Sequence, residues 1–234
     1  AADTQHAAAA CQSAGRKRGI AILQNSNHRR VYALLIASLL TLTGCFGNQR
    51  PSQPVTYYQL DYPPPAIEFN NTPLPFVIRV DPFQPSGLYG SQQIIYRQGQ
   101  YATAQYAYHQ WISPPDQMVP ASLVRDLRAA DIVRAVFLNG GEAATHRLVG
   151  SLEAFYEDDR PAQWQAVAAV SITLIDIEKI GIAEQISFQK TYRVEKPCEK
   201  NTPAAFVDAM GKAMADISEA AITDIYHALL DAED

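Results

Sequence analysis

The sequence of 234 residues predicts an α/β fold. Three observations carry that expectation. Short apolar strands flank an amphipathic helix between residues 76 and 138, the pattern of a βαβ-like unit with a hairpin inserted. Three long alternating runs between residues 146 and 194 read as an antiparallel meander. An apolar stripe at three- and four-residue steps over 203–231 reads as one long C-terminal helix.

The chain opens with residues 1–28, polar and alanine-rich and without methionine; the only methionines are Met118, Met210 and Met214. They read as a mis-assigned upstream start or as precursor lost with the segment that follows, and they carry no fold expectation. Arg29 and Arg30 then precede the apolar run VYALLIASLLTLTGC, residues 31–45. A basic start, about 7–15 apolar residues and a small-residue end describe a secretory signal. The run is shorter than the about 20 apolar residues of a membrane-spanning helix. Leu42-Thr43-Gly44-Cys45 resembles the lipobox of bacterial lipoproteins, where the thiol is acylated, for example with palmitate, and the chain is cut before it. The resemblance makes Leu42, Thr43 and Gly44 the signal-peptidase recognition residues and Cys45 the lipidated first residue of the mature chain. Residues 1–44 would be removed. Phe46 stands where enterobacterial lipoproteins kept in the inner membrane carry aspartate. The resemblance therefore points to the periplasmic face of the outer membrane, with inner-membrane anchoring as the alternative.

Without residues 1–44 the chain has 190 residues, a size that suits one domain burying about 70% of its unfolded surface. Residues 45–55, with their Gly, Pro and polar side chains, read as a flexible tether, and 56–234 as the single domain. A net charge of −5 argues against a nucleic-acid partner, which calls for a basic face. Cys198 is the one thiol left to the domain, so no intradomain disulfide is expected. Beside Pro197 it reads as inert.

Val55–Leu60 (VTYYQL) is rich in β-branched and aromatic residues and reads as a strand, followed by a proline-rich loop to Pro75. Phe76–Val80 (FVIRV) suits a central strand covered on both faces. Gln93–Arg97 and Tyr101–His109 read as two strands around Gln98-Gly99-Gln100, with Tyr106 and Tyr108 on one face. Ser113-Pro114-Pro115 opens a helix over 115–130, with Ser113 as a candidate cap and Pro120 marking an uncomfortable place or the true first turn. Ile132–Leu138 is a further strand. The meander spans roughly 146–156, 164–177 and 183–194, and Thr202 caps the last helix with Pro203 at its first position.

Nucleotide-loop, nucleophile-elbow and zinc-protease motifs are absent from the mature sequence. His109, His146 and His227 lack the short paired spacing of a metal site, so no metal or other cofactor is expected. Glu157, Asp158 and Asp159 could pair as acid and base but read as a solvated hairpin tip. No catalytic residue is expected, and the chain is read as a non-enzyme.

One constellation goes further. Ile95-Tyr96-Arg97, then Tyr106-Ala107-Tyr108-His109-Gln110-Trp111, then Pro114-Pro115-Asp116-Gln117-Met118 and the helix ASLVRDLRAA resemble the auxiliary lipoproteins of ABC-type transport systems. Tyr57-Tyr58-Gln59-Leu60 is similar to that family's first strand. The resemblance spans the mature chain, and Pro120 departs from the leucine-like residue it would place there. It implies a mixed sheet flanked by helices, of the anticodon-binding or TolB N-terminal type. It implies a lipid-anchored subunit of an MCE-linked (Mla- or Pqi-like) lipid-transport system that works with a periplasmic MCE subunit, an ABC permease and an ATPase. Phospholipid is a further candidate ligand. A structural or docking lipoprotein of the cell envelope is the alternative. Because aromatic residues are favoured at protein contacts, Tyr96, Arg97, Tyr106, Tyr108 and Trp111 are the candidate partner-binding residues; the alternative is that the rings fill the space between hairpin and sheet, and for Trp111 that core reading is the favoured one.

Overall fold

The structure, a computed structural model, describes residues 30–32, 34–35 and 53–233 except 71–72, 86, 141–142 and 161–163. The chain divides between residues 52 and 53. In the first unit the described residues are helical and exposed. Leu42, Thr43, Gly44 and Cys45 lie outside the described residues.

The second unit is organised on one long strand. Its strands are β1 (Thr56–Tyr58), β2 (Leu74–Val80), β3 (Gln84–Pro85), β4 (Gln93–Arg97), β5 (Thr103–Trp111), β6 (Val133–Leu138), β7 (His146–Asp158), β8 (Gln165–Asp176) and β9 (Ile186–Pro197). Its helices are α1 (Pro115–Ala130), the single turn α2 (Ile182–Gln185) and α3 (Pro203–Glu233). One edge of β7 pairs antiparallel with β8 along its whole length, and β8 pairs in turn with β9. The other edge is shared by three strands, all parallel to it: β2 at His146–Leu148, β3 at Ser151–Leu152 and β4 at Glu157–Asp158. From β2 the sheet continues to β6, and from β4 to β5 and then β1. The result is a mixed nine-stranded sheet with parallel and antiparallel halves.

Both long helices lie on one face. Phe206, Met210, Met214, Ile217, Ala221, Ile225 and Leu229 of α3 are fully buried, as are Ala166, Ala168, Val170, Ile172 and Leu174 on the inward row of β8. Val119, Leu123 and Leu127 of α1 complete this core. A smaller core of Ile95, Ala154, Tyr156, Val167 and Ala169 forms on the other face, with Tyr89 against it. Asp126 of α1 is wholly buried and accepts hydrogen bonds from Tyr62 Oη (2.8 Å) and from Ser218 Oγ of α3 (2.6 Å). Arg125 supplies the neighbouring positive charge and lies over the Tyr62 ring.

Several expectations are corrected in detail. β9 begins at Ile186, because Glu184 N and Gln185 N close a helical turn onto Gly181 O. The strand Phe76–Val80 is central by pairing, yet only alternate residues are deeply buried, and Arg79 points to Asp81. α1 starts at Pro115 with no side-chain cap, so Ser113 does not serve; Gln117 N and Met118 N bond Pro114 O instead. Pro120 lies inside α1 and is buried, at the cost of one backbone hydrogen bond. Thr202 does cap α3, accepting from Ala205 N at 3.2 Å.

Candidate functional site

The candidate contact residues gather on the β4–β5 arm. Gln98 N bonds Ala102 O across the turn, and Arg97 faces Thr103. The register then jumps. Ile95 faces Gln105 but Gln93 faces Gln110, so β5 carries three surplus residues in a bulge. That bulge removes the simple alternation of Tyr106 and Tyr108. Tyr106 is half-buried and donates to the Glu157 carboxylate at 3.1–3.2 Å, whereas Tyr108 is 45% exposed.

The rings around Tyr106 form a wall. Tyr96 lies 4.9 Å from it and His109 edge-on at 5.7 Å, centroid to centroid. Tyr58 Oη approaches His109 Nδ1 at 3.1 Å. Arg97 turns to the other face and sits 4.4 Å above the Tyr156 ring. Trp111 is 1% exposed, packed on Phe155 and Phe206, so it belongs to the core and offers no surface to a partner. Of the five candidates, Tyr108 is the exposed one, near Tyr57 and Ile112 on the β1–β5 edge, both more than half exposed.

Behind the wall lies the residue that sequence reasoning placed wrongly. Glu157 is wholly buried, and Asp158 nearly so. The solvated-tip reading fails because β7 runs on through Asp158 and shifts register at Glu153. After that shift Phe155 and Glu157 share the helix-facing row. Burial pushes the Glu157 carboxyl up to about 7; the Tyr106 hydrogen bond opposes this and Asp159 adds to it. Burial and the Glu157 charge together raise the Tyr106 phenol. Burial first, and Glu157 second, push the Cys198 thiol up to about 11. A hydrogen bond from Arg160, 2.7 Å from Asp158 Oδ1, holds the Asp158 carboxyl below its ordinary value.

This arrangement suits a structural role. Glu157 has no exposed surface on which to meet a substrate. His146 is also buried, with Phe76 against its ring at 4.9 Å, and burial lowers its pKa. Among the described residues no three His, Cys, Asp or Glu side chains gather as metal ligands. Among the described residues, open grooves of about 540, 460 and 340 Å³ mark the surface, each lined by polar as well as apolar residues. No described helix is long and apolar enough to cross a membrane.

Residues 58–221 match the family model described as ABC-type transport auxiliary lipoprotein component. No curated protein matches the chain. Among solved structures, protein XCC0632 from Xanthomonas campestris superposes with a TM-score of 0.66 at 17% identity, covering 77% of this chain and all of its own. A second, described as an uncharacterized protein, gives 0.59 at 14% identity, covering 74% of this chain and 99% of its own. At these identities the two structures support the mixed α/β fold and nothing finer.

Proposed function

This chain belongs to the ABC-type transport auxiliary lipoprotein component family, and from that membership we propose that it is a lipid-anchored docking subunit of an MCE-linked intermembrane lipid-transport system. The family is one of cell-envelope lipoproteins associated with ABC transport. The finer reading rests chiefly on the family match together with Leu42-Thr43-Gly44-Cys45 at the end of an apolar signal. Acylation of Cys45, with palmitate among the chains, holds the domain at the bilayer. Each buried CH₂ contributes about 0.8 kcal/mol, and stable anchoring takes more than one chain. Phe46 after the cysteine favours the periplasmic leaflet of the outer membrane. Residues 45–55 tether the domain so that it reaches a periplasmic MCE-type subunit and, through it, the permease and the ATPase.

The domain acts by contact and not by catalysis. A buried Glu157 and the absence of a nucleotide loop in the mature sequence favour that reading. Open, mixed-polarity grooves favour docking over carriage of phospholipid, which wants a largely apolar, enclosing pocket. Tyr108, with Tyr57 and Ile112, is the contact surface that the candidate residues leave exposed.

Mass spectrometry of the purified protein tests the anchor: an acylated Cys45 as first residue is expected, and an unmodified or uncleaved segment across residues 42–46 would overturn it. Co-purification with the MCE subunit tests the partner. Tyr108→Ala is the informative variant, because Tyr106→Ala would strip buried Glu157 of its hydrogen bond and confound folding with binding. Undiminished capture by a folded Tyr108→Ala chain would remove this surface from the contact.

A further inference from the structure

The segment that carries the exposed Tyr108 has few ties to the sheet. Tyr106, Ala107 and Tyr108 are matched to no residue of β4, because the bulge jumps from Gln105 to Gln110. They are matched to none of β1 either, whose pairing with β5 begins at His109. A stretch without ladder partners opens more readily than the strands around it. Ala107 and Tyr108 face solvent, and Tyr106 alone of the three turns inward. Its hydroxyl donates to both oxygens of Glu157, at 3.2 and 3.1 Å, and its ring rests against Tyr96 and His109. Tyr106 is thus the clasp that holds the segment, and Glu157 is its catch.

The catch is a wholly buried carboxyl with no cation beside it. Among the described residues no lysine, arginine or histidine forms an ion pair with Glu157. The titratable groups around it are Tyr106 of β5, with His109 behind that ring, Tyr96 opposite on β4, Asp159 beyond its own strand and Cys198 beyond β9, on which Asp208 of α3 also acts. On β8 the residue opposite is Ala166. Two arginines nearby in sequence are engaged elsewhere, Arg97 over the Tyr156 ring and Arg160 on Asp158. A carboxylate has about four acceptor sites, and here it meets one donor. Burial without a cation or further donors penalises the charged form. Burial outweighs the Tyr106 hydrogen bond, and the carboxyl sits at about 7 against an ordinary 4.5. Ionisation therefore favours whatever arrangement lets water reach Glu157, and the unladdered segment in front of it is the part of the wall least tied down.

We propose that residues 106–108 form a proton-operated clasp, closed on a neutral Glu157 and released when Glu157 ionises, so that Tyr106 swings outward and carries Tyr108 with it. The clasp needs no partner, so it stands or falls apart from the docking reading above. The closed form binds the Glu157 proton more tightly than the open form, and opening therefore grows as pH rises. The test is hydrogen–deuterium exchange, read by mass spectrometry on the purified full chain in detergent at pH about 5.5 and about 8, with intrinsic exchange rates divided out. Peptides over residues 105–109 are expected to lose protection about tenfold or more at the higher pH, while those of α3 and β8 keep theirs. Glu157→Gln, which has no proton to lose, is expected to hold the segment closed at both. Equal protection of the wild-type segment at the two pH values overturns the proposal without any variant. A loss that persists in Glu157→Gln overturns it too, since another group would then be the source. A loss shared equally by α3 and β8 also overturns it, since that is unfolding of the whole domain.

Discussion

At the scale of single residues, Glu157 is the most consequential side chain. Its folded-state carboxyl sits near 7, above the ordinary value of 4.5. The folded state therefore binds a proton more tightly than the unfolded state does. Stability falls as pH rises from about 4.5 to about 7, and the penalty is complete above that range. Glu157→Gln keeps a group able to pair with Tyr106 and removes the titration. The expected result is a gain in unfolding free energy at pH 8, up to about 3 kcal/mol by the one-unit equivalence of 1.36 kcal/mol. Little gain is expected at pH 4.5. Urea denaturation at the two pH values measures this; an equal effect at both would refute the assignment.

At the scale of elements, close approach outweighs propensity. Gly211 sits within α3, where alanine is favoured over glycine by about 1 kcal/mol. A Cβ there would lie 2.9 Å from the backbone oxygen of Asp61. Gly211→Ala is therefore expected to destabilise the protein by about 1 kcal/mol or more, opposite in sign to the helix scale. A rise in thermal midpoint would contradict the contact. The same contrast decides what was legible in the sequence. α3 showed itself because its stripe and its Thr202 cap are local signals. The β4–β5 hairpin was visible for the same reason, through Gly99 between two aromatic runs. The bulge in β5 and the register shift at Glu153 were not, since each depends on the partner strand. Those two irregularities separate Tyr106 from Tyr108 and carry Glu157 inward. Trp111 stood in the sequence as a contact candidate with core as its favoured reading, because an aromatic ring looks alike in both, and its 1% exposure places it in the core.

At the scale of the whole molecule, Asp126 joins three distant parts of the chain, Tyr62, its own helix and Ser218. Asp126→Ala leaves two hydroxyls buried without an acceptor and Arg125 without its partner. A loss of about 2–4 kcal/mol is expected, measured by equilibrium unfolding; a loss within 0.5 kcal/mol would show the node to be dispensable. The pairing around β7 has a different kind of consequence. In the spatial order β1-β5-β4-β7-β2-β6, the strand made seventh lies between strands made earlier. Until residues 146–158 have emerged, β4 with its neighbours and β2 with β6 are two fragments with open edges facing each other. A chain crossing a membrane from its N-terminus thus has well over half its length exported before its sheet can close. Non-local pairing of this kind is slow and leaves strand edges open to wrong partners while β7 is still awaited.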